Sequence, residues 1–228
     1  MGAAWVGSIQ AGMPRRMGGG AAGESDPPWI SGYVKEPVSG AVWVGNEHVA
    51  GDAQADLQNH GGVHRVVLAY AASHYPLWRE ELGRDFPFGA FGENFTVEGL
   101  TEADVCVGDT YRVGGAILQV SEPRIPCWKI SRRWHVDDLL ERVVQSGRVG
   151  WFHRVLSEGA AAAGDALQLL DRPHPRLTIA AIYRAHGNGG EDAAALAEIA
   201  ACPLLSPRVR TVFARRAGAA AADRPPAG

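Results

Sequence analysis

The densest group of reactive side chains in this 228-residue chain is Pro123-Arg124-Ile125-Pro126-Cys127-Trp128-Lys129. Two prolines fix the backbone on either side of Arg124 and Ile125, which suits holding one side chain in place. Arg124 and Lys129 flank Cys127 closely in sequence. Positive charge favours the thiolate, the form that attacks electrophiles or binds soft metals. The ordinary alternative is a buried, inert cysteine. Cys106, in an alternating Val-Cys-Val stretch, and Cys202, before Pro203, read as structural.

Four further segments carry polar or basic groups at turns. In His60-Gly61-Gly62-Val63-His64-Arg65 the His-x3-His spacing is that of zinc peptidases, but that motif needs a helix to bring both rings to one face. Adjacent glycines cost a helix about 1 kcal/mol each, so the zinc reading is rejected. A Gly-Gly turn instead exposes backbone N–H groups that can cradle a phosphate or the polar edge of a ring, with Arg65 adding charge. In Phe91-Gly92-Glu93-Asn94-Phe95-Thr96, Gly92 permits close backbone approach, and Glu93 and Asn94 offer acceptors and donors. Lys35 leads a Pro/Gly turn and can meet an anion as a point charge. In Gly150-Trp151-Phe152-His153-Arg154, an arginine beside aromatic rings can grip a phosphate while the rings exclude water. Each segment also has a plain reading, as a tight turn, a solvated lysine or a core strand with an exposed arginine.

The elements that must position these groups are short. Apolar stretches at 5–10, 29–34, 41–44, 65–70, 105–107, 110–113, 116–121 and 166–170 alternate between turn signals and read as strands, while 11–28 reads as a loop. Helices are expected from Ser73 to about Leu82, with Gly83 as the C-cap, and from about Val136 to Gln145. Arg172-Pro173-His174-Pro175 marks a hinge. Beyond it, helical patterns run over 178–186, about 191–201 and 207–217, the first two separated at Gly187-Asn188-Gly189-Gly190. Thr178 and Ser206-Pro207 supply N-terminal caps, and the tail from Gly218 reads as frayed. Many short strands with Gly/Pro turns imply a mainly β domain over 5–171, followed by a small all-α domain over 177–217.

Composition narrows the function. Net charge is −3 with histidine neutral, which provides no overall field for nucleic acid or acidic membranes. Three cysteines without close pairs argue against a disulfide framework and for a reducing, cytoplasmic setting. No run approaches the ~20 apolar residues of a spanning helix, and no signal peptide is evident. Together the residue types suit one soft thiolate, several cations and glycine-rich turns around a phosphorylated, hydrogen-bonding cofactor.

In this order along the chain, Lys35-x-Pro37-Val38-x-Gly40, Gly51-Asp52-x-Gln54-x-Asp56, His60-Gly61-Gly62, Phe91-Gly92-Glu93-Asn94-Phe95-Thr96, Gly108-Asp109, Pro123-Arg124-x-Pro126-Cys127, Gly150-Trp151 with Arg154, and Gly164-Asp165 resemble the MOSC family, named for the C-terminal domain of molybdenum-cofactor sulfurases. The resemblance covers roughly 5–171 and is greatest to a compact stand-alone bacterial branch with a three-helix C-terminal domain. His64 stands where many relatives carry an acidic residue, and Phe95 where leucine is usual.

The resemblance implies a MOSC-type β-barrel with peripheral helices and a molybdenum–molybdopterin cofactor. Cys127 would be the metal ligand and catalytic centre, and Lys35, His60, Gly61, Gly62, Arg65, Gly92, Glu93, Asn94, Arg124, Lys129, Trp151 and Arg154 would bind the cofactor. Trp128 and Trp151 would shield the site. It further implies reduction of small N-hydroxylated substrates, hydroxylamino-purines included, with electrons from a separate donor protein. The oligomeric state stays open. Three rival readings stand beside it: a sulfur-carrier or cofactor-transfer module with a Cys127 persulfide, a cysteine hydrolase, and a protein-docking role for the C-terminal helices.

Overall fold

The computed structural model describes residues 3–18, 27–187 and 193–222. Its first strands are β1 (Trp5–Ala11), β2 (Arg15–Met17), β3 (Trp29–Ser31), β4 (Glu36–Pro37) and β5 (Val42–Val44). One helical turn, α1 (Leu57–His60), precedes β6 (Val67–Ala71), α2 (His74–Leu82) and β7 (Phe95–Glu98). The hairpin β8 (Thr110–Val113) and β9 (Ala116–Pro123) leads to α3 (Lys129–Trp134) and α4 (Leu139–Ser146). Strands β10 (Trp151–Ser157), β11 (Gly159–Ala161) and β12 (Gln168–Asp171) close the β region. Helices α5 (Ile179–Gly187), α6 (Ala193–Ala201) and α7 (Pro207–Ala222) follow.

Eight strands form one sheet in the order β12-β8-β9-β10-β6-β7-β1-β4. All neighbours are antiparallel except β6 and β7, which run parallel because α2 carries the chain back between them. The sheet curls until the residues before β12 reach β1: Val6 N–H donates to Asp165 O at 2.9 Å, and Leu167 N–H donates to Ala4 O at 2.9 Å. Those bonds satisfy backbone groups that an open edge would expose, and they give the sheet its barrel-like form.

Among the described residues, the larger of two apolar clusters spans barrel and helices. It runs from Val6, Phe95, Leu118 and Trp151 in the barrel to Ile179, Ile182, Leu196 and Phe213 in the C-terminal helices. Burying each such side chain contributes about 1.5–3 kcal/mol, so the helices are held by the same core as the strands. A second, aromatic cluster packs α2 against the sheet, with Tyr70 stacked on Phe91 at 4.6 Å.

The barrel-like β domain with peripheral helices and a C-terminal helical region expected from the sequence is the one observed. Several elements differ locally. The expected loop over 11–28 contains β2, which pairs with β3, while its residues 19–26 lie outside the described residues. The expected strand over 105–107 is reduced to one bridge between Cys106 and Thr178. Helix α3 was not expected and takes up the residues after Trp128; His135, in the left-handed region at φ 49°, ends it, so α4 starts at Leu139 rather than near Val136. Helix α7 runs through Gly218 to Ala222 instead of fraying there, and 223–228 lie outside the described residues. So do 188–192, which hold most of the expected break after α5 and the first residues of the helix expected from about 191.

Capping follows the sequence in part. Ser73 precedes α2 without a side-chain cap bond, whereas Gly83 ends the helix at φ 58°. Thr178 Oγ1 accepts from Ala181 N–H at 3.1 Å and Ser206 Oγ from Val209 N–H at 3.4 Å, which serve two of the unpaired donors that open α5 and α7.

Candidate functional site

Strand β9 ends at Pro123, and the loop after it carries Arg124 and Cys127 into a cleft of about 630 Å³. Arg124 N–H donates to Gly150 O at 3.1 Å, which ties the loop to the start of β10. Cys127 O accepts from Ile130 N–H at 3.3 Å, so the cysteine sits at the opening of α3. Cys127 is partly exposed and lines the cleft, whereas Cys106 and Cys202 are buried elsewhere.

Arg124 is only 6% exposed, and its Nη1 has no hydrogen-bond partner. An unpaired buried guanidinium nitrogen is costly, on the order of a few kcal/mol, unless something fills the space before it. Burial opposes the charge on Arg124, and the neighbouring Tyr33 and Cys127 more than offset it, so its pKa rises. Tyr33 donates to Ala90 O at 3.2 Å, and burial pushes its own phenol pKa upward. A Cβ on Gly92 (φ 79°) would lie 2.9 Å from the Tyr33 ring, so glycine is needed there for both conformation and space.

The polar floor of the cleft is a preassembled network. Lys35 forms a buried ion pair with Asp52. Asp52 also accepts from Gly12 N–H at 3.0 Å and from Asn94 Nδ2 at 2.9 Å, and Asn94 Oδ1 accepts from Leu68 N–H at 3.1 Å. Burial lowers the Lys35 pKa, with Asp52 opposing the shift. On another wall Arg65 pairs with the buried carboxylate of Glu122, and the Arg65 guanidinium lies 5.6 Å from the centre of the Phe152 ring. With Lys35 and Arg65 paired in this way, Arg124, Lys129 and Arg208 face the cleft against one lining carboxylate, Asp56. The cleft is therefore electropositive and suited to an anion.

His60 ends α1 and also lines the cleft, with Nδ1 3.5 Å from Asp56. Burial and then the charge of Lys129 hold its pKa below the usual histidine range, so at neutral pH the ring is uncharged and can donate and accept. Gly61 and Gly62 stop the helix beside it; Gly62 has φ 101° and lies outside the lining. His64 falls on the following turn and does not line the cleft.

The structure thus gathers Lys35, His60, Arg65, Gly92, Asn94, Arg124, Cys127 and Lys129 around one cleft. Gly61, Gly62, Glu93, Trp151 and Arg154 do not line it. Glu93 is turned inward, accepting from Tyr75 OH, from Gly89 N–H at 2.7 Å and from Thr96 Oγ1 at 2.9 Å. Trp151, expected to shield the site, is instead fully buried in the main core. Alternation along β10 is the reason: Trp151 and His153 point inward, so Phe152 on the opposite face lines the cleft. Arg154 shares that face but reaches past the cleft to donate to Leu204 O.

The sequence reading also missed Tyr33, Phe152 and the wall formed by His186, Arg208, Val209 and Val212 of α5 and α7. Strand parity would have found Phe152. The helical wall depends on long-range packing that no local signal carries.

Among the described residues, no three His, Cys, Asp or Glu side chains stand together as a metal cage. Around the cleft the curled sheet and its loops bring one thiol, Cys127, together with basic side chains and the backbone of Gly32 and Gly92.

The chain belongs to the MOSC family: a model of the MOSC domain matches residues 56–168. It is 39% identical to the YflK protein of Bacillus subtilis over 186 residues, spanning 82% of this chain and 84% of that one. A protein of Gibberella moniliformis named as a reductase is 37% identical over 158 residues; the match covers 68% of this chain and 28% of the fungal protein. The crystal structure of YiiM from Geobacillus stearothermophilus superposes with a TM-score of 0.79 at 35% identity, covering 94% of this chain and 99% of that one. No described helix is long and apolar enough to cross a membrane.

Proposed function

We propose that this protein is a molybdenum-cofactor-dependent reductase of small N-hydroxylated compounds, of the hydroxylamino-purine type, with Cys127 as the metal ligand and catalytic centre. The observation that carries the reading is Cys127 on the cleft wall beside Arg124, whose buried Nη1 lacks a partner. A thiolate is a soft ligand suited to molybdenum, and a planar guanidinium matches a phosphate. Membership of the MOSC family and the likeness to a fungal protein named as a reductase support it.

The residues present fit such a cofactor. Cys127 would supply one thiolate to the metal, and Arg124, with Lys129 and Arg65, would hold the phosphate. Asn94, His60 and the backbone at Gly92 would meet the hydrogen-bonding edge of the pterin, with Lys35 and Asp52 fixing Asn94 from behind. The bound cofactor would supply the two-electron chemistry that removes oxygen from an N-hydroxyl group, with electrons from a separate donor protein. The protein's own part is to position, to balance charge and to exclude water. Val209, Val212 and Phe152 line the apolar side of the cleft, where a lower local dielectric strengthens each charged contact.

The test is reduction of an N-hydroxylated purine by gently purified protein supplied with a chemical reductant, alongside its molybdenum and pterin content. Turnover that tracks metal content supports the reading. Metal-loaded protein without turnover on any N-hydroxylated compound removes the substrate assignment.

A further inference from the structure

Trp128 follows the cysteine directly and lines the cleft, yet 48% of it is exposed. Its position is fixed from behind. The ring of Trp29, itself only 9% exposed, lies 5.3 Å from it at an interplanar angle of 59°. The Arg132 guanidinium sits 5.3 Å from both indole centres and donates to Pro27 O. Two tilted indoles and one guanidinium thus form a braced cluster whose outer member shows its surface to the cleft. Ile125, two residues before Cys127, is 41% exposed and lines the same cleft.

An exposed indole held by packing has already lost its rotamer freedom, so a flat ligand that lies on it incurs little further ordering cost. The polar groups that could read a hydrogen-bonding ring, Asn94 with Asp52 and Lys35, are buried, whereas Trp128 is half open to solvent. We infer that Trp128 is a substrate-specificity residue: it stacks the planar, nitrogen-containing ring of the substrate beside Cys127, and it selects flat aromatic N-hydroxylated compounds over small aliphatic ones. The inference rests on the proposed reductase function for the reaction, but the stacking itself can be read without turnover.

The experiment measures binding of unreactive adenine to the purified holoenzyme by calorimetry, in wild type, Trp128→Phe and Trp128→Ala, with molybdenum and pterin content determined for each. A base stacked on an aromatic side chain loses about 1–3 kcal/mol on truncation to alanine, or roughly 5- to 150-fold in affinity. The expected result is that loss in Trp128→Ala, near-native binding in Trp128→Phe and unchanged cofactor content in both. In turnover, Trp128→Ala should raise KM for a hydroxylamino-purine by a similar factor, with KM for acetamidoxime, a small aliphatic N-hydroxylated compound, unchanged. Equal adenine affinity in wild type and Trp128→Ala overturns the inference. Loss of pterin from Trp128→Ala also overturns it, because the indole would then serve the cofactor. Adenine binding that depends on Trp128, with no reduction of any N-hydroxylated compound, keeps the stacking site and removes the reductase reading.

Discussion

The Ser206 hydroxyl donates a hydrogen bond to the buried carboxylate of Glu122, and the same carboxylate pairs with Arg65 on the cleft wall. One acidic group therefore joins the first turn of α7 to the basic lining of the cleft. Ser206 is also the residue whose oxygen caps α7. The helices that close the cleft are thus tied to the barrel by a polar contact as well as by the shared core.

Ser206→Ala should remove both the cap and the link to Glu122. A lost cap costs about 1 kcal/mol and a lost bond to a buried charge about 1.5–3 kcal/mol, so a loss of roughly 2.5–4 kcal/mol is expected. Thermal unfolding should show a fall of roughly 5–16 °C for a chain of this size. A change of less than a degree would show that the contact adds nothing to docking of α7.

Lys35→Met should be more severe, because it strands the Asp52 carboxylate in the interior. Removing one partner of a buried ion pair costs about 3–5 kcal/mol, and the remaining bonds from Gly12 and Asn94 place the expectation near the low end. Lys35→Met combined with Asp52→Asn should recover much of that loss. Urea unfolding of the single and double variants measures it, and additive losses would contradict the pairing.

Arg124→Leu should leave the fold intact and abolish anion binding. In wild type freed of cofactor, inorganic phosphate is expected to raise the melting temperature by filling the space before Arg124 Nη1. The variant should show no such rise and should retain no pterin. A rise of equal size in the variant would place the phosphate elsewhere.

His153 gives the protein an acid limit. Its ring is fully buried, and burial pushes its pKa down to about 4 against a weaker opposing contact with the Val67 backbone. The unfolded chain takes up the proton near the ordinary value of about 6.5, so full stability is present above that pH and is lost as pH falls toward 4. At pH 4.5 the loss from this one group amounts to roughly 2–3 kcal/mol. His153→Leu should remove that component from the pH dependence of urea unfolding. The same slope in the variant would assign the acid sensitivity to other groups.

Much of the site is legible in the sequence because it sits on short, punctuated segments. Pro126 beside Cys127 and the left-handed Gly92 line the cleft, while Gly62 and the caps at Thr178 and Ser206, outside it, shape the elements around it. What stayed hidden depends on partners distant in sequence. Lys35 reads as a free cation until Asp52, 17 residues on, is seen against it. Trp151 reads as a lid until the parity of β10 turns it into the core and brings Phe152 to the cleft. The wall from α5 and α7 arises because one apolar cluster spans barrel and helices, a long-range outcome with no local signature.

The most direct test of the central claim is the molybdenum and pterin content of gently purified wild type and Cys127→Ala, each measured with its activity on a hydroxylamino-purine. Near-stoichiometric molybdenum with pterin and turnover in wild type, and loss of metal and turnover in a folded Cys127→Ala, are the results the account predicts. Metal-free wild type from cofactor-rich cells, carrying persulfide sulfur on Cys127, would contradict it and make the protein a sulfur carrier.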